Sequence, residues 1–200
     1  MEDFSLKFEE VKVKHSVWKL FLVVLVIFIA SAFYGYLNGG RFYFLTEAIK
    51  KFYGMEILKV NPLLLMAFIF SNNAFKSFII IPLGAILAVP PVIFIIFNGF
   101  VVGLIAYEIV SKFGEVGFLY FAAAILPHGV FELPAVFLSA ALGIRVGLAA
   151  IARLRGGDNV GWVWIEGLKT YVYKVLPILF IAAVIEAFIT PQILSFLFKE

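Results

Sequence analysis

Residues 118–151, FLYFAAAILPHGVFELPAVFLSAALGIRVGLAAI, decide the fold. A helix of that length would reach about 50 Å, against a hydrocarbon core of about 30 Å. In its middle, Pro127-His128-Gly129-Val130-Phe131-Glu132-Leu133-Pro134 places two prolines and two ionisable side chains. A charged group at bilayer depth costs at least ~2.5 kcal/mol, and each proline frees a carbonyl that lipid cannot satisfy. The sequence therefore predicts a division at Pro127 and Pro134. Either a half-helix re-enters its own leaflet, or one span is broken and tilted around His128 to Glu132. Both arrangements line a cavity rather than face lipid.

The rest of the chain fits a membrane solvent. Of its 200 residues 64% are hydrophobic, 18% aromatic and only 14% charged, and the mean hydropathy is +1.07. A soluble domain averages roughly 45–50% apolar and 25% charged residues. Two hundred residues hold about five to seven spans with little left over. The net charge of +3 comes from lysines and arginines at span ends, not from one basic stripe, which argues against nucleic acid. The absence of cysteine excludes disulfides, thiolate metal sites and cysteine nucleophiles.

Read in order, residues 1–16 form a charged cytoplasmic segment, and Val17 to Leu37 a first span with Trp18, Tyr34 and Tyr36 in its interface belts. Residues 41–59 alternate apolar and charged positions with a helical period, as an interfacial amphipathic helix does. Asn61-Pro62 is a helix start, N-cap then N1, for a span running to Val89 that Pro82 and Gly84 kink or split. Pro90-Pro91 begins another span that ends near Glu108, and Lys112 to Gly117 is a short polar turn. Residues 153–170, with Gly156-Gly157-Asp158-Asn159, read as a cytoplasmic loop, and the last span runs from about Tyr171 to Phe198. The expected fold is thus a single all-α polytopic domain over 17–198: about five transmembrane helices, an interfacial helix and a Pro-broken segment. With the amino terminus inside, positive charge is biased to the inside, as it should be.

Polar residues at membrane depth are the candidate site. His128 and Glu132 are four apart and share one helical face. Glu186 is a lone carboxylate in an apolar run, and Asn72, Asn73, Lys76 and Asn98 are the other polar positions inside spans. Convergence of these seven would make an interior cluster, with Lys76 as counter-charge. Gly129 between His128 and Glu132 leaves room for a second backbone. His128, Glu132 and Glu186 are candidate ligands for a divalent metal, zinc first among them. The opposing reading is that they only satisfy freed carbonyls and neighbouring helices, because buried polar groups need partners whatever the function. The zinc-peptidase pattern H-E-x-x-H, a G-x-S-x-G elbow and a phosphate-binding glycine loop are all absent, so no catalytic residue is assigned. Gly99 and Gly103 form a G-x-x-x-G pair, as do Gly143 and Gly147; either serves packing within the chain or a homodimer.

The run from Ile125 to Ala135 followed by Ala140-Ala141-Leu142-Gly143, together with Asn98-Gly99 and Ile185 to Pro191, resembles the stage II sporulation protein M family of integral membrane proteins. The resemblance covers roughly residues 15 to 195, with P-H-G-x-x-E-x-P as its core. It implies a multi-pass protein of the cell membrane that acts as a scaffold, with lipid around it and a membrane or envelope protein as partner. The first expectation is accordingly a non-enzymatic complex component. A small transporter or channel moving a proton, cation or small solute comes second, and a metal-dependent intramembrane enzyme third.

Overall fold

The computed structural model describes residues 16–45, 47, 61–154, 156 and 159–197, and among these every regular element is helical. In chain order they are α1 (Val17–Leu37), a 3-10 turn (Gly39–Phe42), α2 (Pro62–Leu83), α3 (Val89–Phe113), a 3-10 turn (Gly114–Val116) and α4 (Gly117–Arg153). There follow α5 (Val160–Thr170), a π turn (Tyr171–Val175), α6 (Leu176–Val184), a second π turn (Ile185–Ile189) and α7 (Thr190–Leu197). Four helical stretches are long and apolar enough to cross a membrane: Val17–Leu37, Pro62–Leu83, Val89–Arg153 and Val160–Leu197. The chain is a multi-pass membrane protein.

Local chemistry explains most of the boundaries. Asn61 caps α2 by accepting a hydrogen bond from the Leu63 N–H at 2.9 Å, with Pro62 in the first turn. Asn159 does the same for α5 through the Trp162 N–H at 3.3 Å. The expected span to Val89 stops sooner, at Leu83. Residues 84–88 make a tight turn in which the Ala88 N–H donates to the Gly84 carbonyl at 2.8 Å and Leu87 and Ala88 take φ of 51° and 63°. Two left-handed residues other than glycine are strained. The turn sits directly on Gly147, where an added Cβ would lie 2.5 Å from the Gly84 oxygen.

The division expected at Pro127 and Pro134 is not found: α4 runs without interruption through both prolines for 37 residues. Each proline removes one N–H donor, yet the helix continues through both. Among the described residues α4 packs against every other helix, and its stretch from Ala135 to Gly147 is almost wholly buried. The re-entrant half-helix is therefore replaced by a central pillar. The C-terminal rod, α5 to α7, does respond to its prolines. Pro177 and Pro191 each follow a π turn by two residues, and the carbonyl each would clash with, on Tyr173 or Ala187, lies within that wider turn.

Antiparallel packing sets the depth of the site. A Cβ on Gly117 would lie 2.6 Å from the Val110 Cα, and one on Gly143 would lie 2.8 Å from Pro91. The chain thus reverses at Gly114, whose φ is +63°, and α4 returns along the whole of α3. His128 to Glu132 stand midway between Gly117 and Gly143, level with the middle of α3. The rod is antiparallel to α4 in turn, with Gly167 beside Leu142 and Ile81.

Both glycine pairs are covered within the chain. A Cβ on Gly99 would meet Ser31 and the Phe28 oxygen, one on Gly103 would overlap the Ala32 oxygen, and one on Gly143 would lie 2.7 Å from the Ile80 oxygen. Gly99 and Gly103 therefore join α3 to α1, and Gly143 and Gly147 seat α4 on the end of α2 and its turn. Neither pair is left for a homodimer.

The expected loop at 153–170 is shorter than the sequence suggested, because helix resumes at Val160 and exposes Trp162, Trp164 and Ile165. The segment 1–15 and all but residues 41–45 and 47 of the anticipated interfacial helix lie outside the described residues. One long-range hydrogen bond ties the rod to α2: the Tyr171 hydroxyl donates to the Ala74 carbonyl at 2.8 Å, its ring edge-on to Phe78. Tyr171→Phe is expected to lower stability by about 0.5–1.5 kcal/mol, read as a shift in a bicelle unfolding curve, with helicity unchanged.

Candidate functional site

His128 and Glu132 lie one helical turn apart on α4 and project toward the rod. Glu186 comes from the second π turn of the rod, which packs against α4 and α2. One ligand atom from each of the three side chains lies within 4.8 Å of the others, and all three residues are half-buried. Among the described residues no hydrogen bond or ion pair joins them. The His128 Nδ1 is fully buried and has no hydrogen-bond partner. Such a group can hold a divalent cation, or it can share a proton.

The neighbouring charges act on this trio unequally. Lys76 on α2 is exposed, yet close enough to Glu132 for electrostatic attraction, and Glu132 and Glu186 repel each other. In the interior of a bundle these interactions are stronger than in water. Two carboxylates beside one exposed lysine can be balanced by a cation or by a proton.

The other expected members are placed less centrally. Asn72 and Asn73 are half-buried on α2, one turn before Lys76, and the Asn72 Nδ2 donates to the Asn73 Oδ1 at 3.4 Å. Asn98 turns back on α3, its Nδ2 donating to the Phe94 carbonyl at 2.7 Å. Its amide is thereby satisfied within its own helix, as a polar group in a span can be. No second backbone comes close at Gly129: a Cβ there would meet only Ile125 and Leu133 of α4 itself, the nearer at 3.3 Å.

A second polar cluster was not anticipated. Arg145, whose side chain is 11% exposed, forms an ion pair with Glu166 of α5 at 2.9 Å, while its Nε has no hydrogen-bond partner. The same Glu166 oxygen lacks a hydrogen bond by angle but is held by this ion pair. Ser77 on α2 is wholly buried with its hydroxyl unpartnered, and the Ser139 hydroxyl donates to the Ala135 carbonyl at 3.1 Å. Arg145 reads in the sequence as one more topology charge near a loop. Its flanks, Leu142-Gly143-Ile144 and Val146-Gly147-Leu148, were the available signal that it is interior.

The sequence has a match among known families. The model described as Stage II sporulation protein M matches residues 16–191, from the start of α1 into α7. No curated protein and no solved structure matches the chain significantly. The matched region contains the whole His128, Glu132 and Glu186 cluster, both glycine pairs and the Arg145–Glu166 pair. Spanning nearly all of an all-helical, multi-pass chain, this match places the protein in the stage II sporulation protein M family.

Proposed function

We propose that the chain is a non-enzymatic membrane scaffold, a component of a larger membrane complex in which its interior cluster ties the central helix to the C-terminal rod. The observation that carries this reading is the position of the cluster: His128 and Glu132 come from α4 and Glu186 from the rod, so whatever joins them joins the two elements. Five crossings with a cytoplasmic amino terminus suit this role. The reversal at Gly114 supports counting the Val89–Arg153 stretch twice, and Arg145, Arg153 and Lys169 then gather on the inner side. With the glycine pairs occupied inside the chain, a partner would engage the exposed surface, including the Trp162 and Ile165 face of α5. Extracted from native membranes in mild detergent, the tagged chain is expected to migrate as a defined assembly with a stoichiometric second protein. Migration as a lone monomer would remove this reading.

Transport of a proton or cation is the second reading, favoured by the series Lys76, Glu132, Glu186 and His128 at mid-depth. It predicts flux in proteoliposomes that Glu132→Gln abolishes while the protein stays folded. Unchanged flux in that variant, or none in the wild type, would dismiss transport.

A further inference from the structure

We propose that His128, Glu132 and Glu186 form a binding site for a divalent transition metal of the zinc class, one imidazole nitrogen and two carboxylate oxygens serving as its protein ligands. The inference rests on the reading of the cluster as the tie between α4 and the rod, and deepens it by naming what makes the tie.

Geometry comes first. Zinc bonds of about 2.0–2.2 Å in a tetrahedron set donor atoms about 3.3–3.6 Å apart. The donors here lie within 4.8 Å of one another, so side-chain rotations closing the gap by little more than 1 Å would bring all three into one coordination sphere. Two ligands come from successive turns of α4, an unbroken helix that fixes their spacing. The third comes from the π turn at Ile185–Ile189. A π turn carries one extra residue per turn, which re-aims the side chains within it without ending the helix. Glu186 thereby reaches α4 from an otherwise apolar stretch of the rod, residues 182–189.

Polar satisfaction comes second. The His128 Nδ1 is buried with no hydrogen-bond partner, and no hydrogen bond links the histidine to either glutamate. A structural histidine–carboxylate network would show such bonds, because a buried polar atom left alone is rare. A cation between the three groups accounts for their convergence without mutual bonding. It also neutralises the two carboxylates.

The donor set selects the metal. Magnesium and calcium prefer six or more oxygens and take imidazole poorly, whereas one imidazole with two carboxylates suits zinc, manganese or iron(II). With cysteine absent from the chain, softer ions have no thiolate to bind. Three protein ligands leave room for a fourth from water or a partner.

Elemental analysis of the full-length chain, purified in detergent without chelator, tests the site. About one zinc, manganese or iron ion per chain is expected. His128→Ala and Glu186→Gln should each reduce it to the background of a mock preparation, while Glu115→Gln, in the exposed Gly114–Val116 turn, should retain it. Circular dichroism and size-exclusion profiles establish that the variants are folded. Should they fail to fold, cobalt(II) added to chelator-stripped wild type provides the second measurement: visible d–d absorption and a histidine nitrogen coupling in pulsed electron paramagnetic resonance are expected. Metal retained by both variants, or a wild-type chain that neither carries metal nor takes up cobalt, overturns the proposal and leaves a shared proton as the tie. The scaffold reading is judged separately by the native assembly, so the two can fail independently.

Discussion

Gly103→Leu is expected to leave no stably folded protein. A Cβ at this position overlaps the backbone oxygen of Ala32 on α1, with the Tyr36 nitrogen 2.8 Å away, so the collision is with main chain that cannot rotate aside. Forcing extra atoms into a packed core costs about 1–3 kcal/mol when side chains can yield, and more when α1 and α3 must separate. Lipid tails are as apolar as the helix surfaces, so close packing rather than water exclusion supplies the contact energy lost. In bicelle unfolding by sodium dodecyl sulfate the variant should have no native baseline, or a midpoint shifted by at least about 3 kcal/mol. Gly129→Ala is the contrasting case. Its Cβ meets only rotatable side chains of its own helix, and alanine is the better helix former, so the effect should fall between neutral and about 1 kcal/mol stabilising. Equal damage from the two substitutions would mean that α1 and α3 do not meet at Gly103.

Breaking the Arg145–Glu166 pair is the second large effect. Glu166→Ala leaves a nearly buried guanidinium with its Nη2 partner gone and its Nε already unpartnered. Removing one partner of a buried pair typically costs about 3–5 kcal/mol. The Glu166 side chain is 40% exposed, however, so solvent screens the pair and the expected loss is about 1–3 kcal/mol. Replacing both residues, as Arg145→Met with Glu166→Leu, should recover much of that loss, because no uncompensated charge remains. A double-mutant cycle should give a coupling of about 1 kcal/mol or more, weakening as salt is raised. Strictly additive single effects would show that the two side chains do not pair in the membrane.

The site was partly legible. His128 and Glu132 could be placed on one face from their spacing, and Glu186 stood out as a carboxylate among apolar residues, which is why all three were candidates and all three converge. Asn98 stood out for the same reason, but an amide can close a hydrogen bond to its own helix, and composition does not distinguish that outcome from an interior contact. Arg145 and Glu166 escaped notice because charge near a loop is also what a topology signal looks like. The prolines misled in one helix and not in the other. Pro127 and Pro134 are carried within one unbroken helix, whereas Pro177 and Pro191 follow closely on widened turns.

What the sequence alone determined is the solvent and the class. Apolar runs near bilayer length, interface aromatics and the Asn61-Pro62 start are local properties, and hydrocarbon admits few backbone solutions other than helix. Which helices touch, and where the polar groups meet, was decided by the tertiary structure. Gly99, Gly103, Gly143 and Gly147 set how closely helices approach, antiparallel return brings residue 186 beside residue 132, and a π turn aims the last ligand. Those are relations between segments far apart along the chain, and no window of sequence contains them.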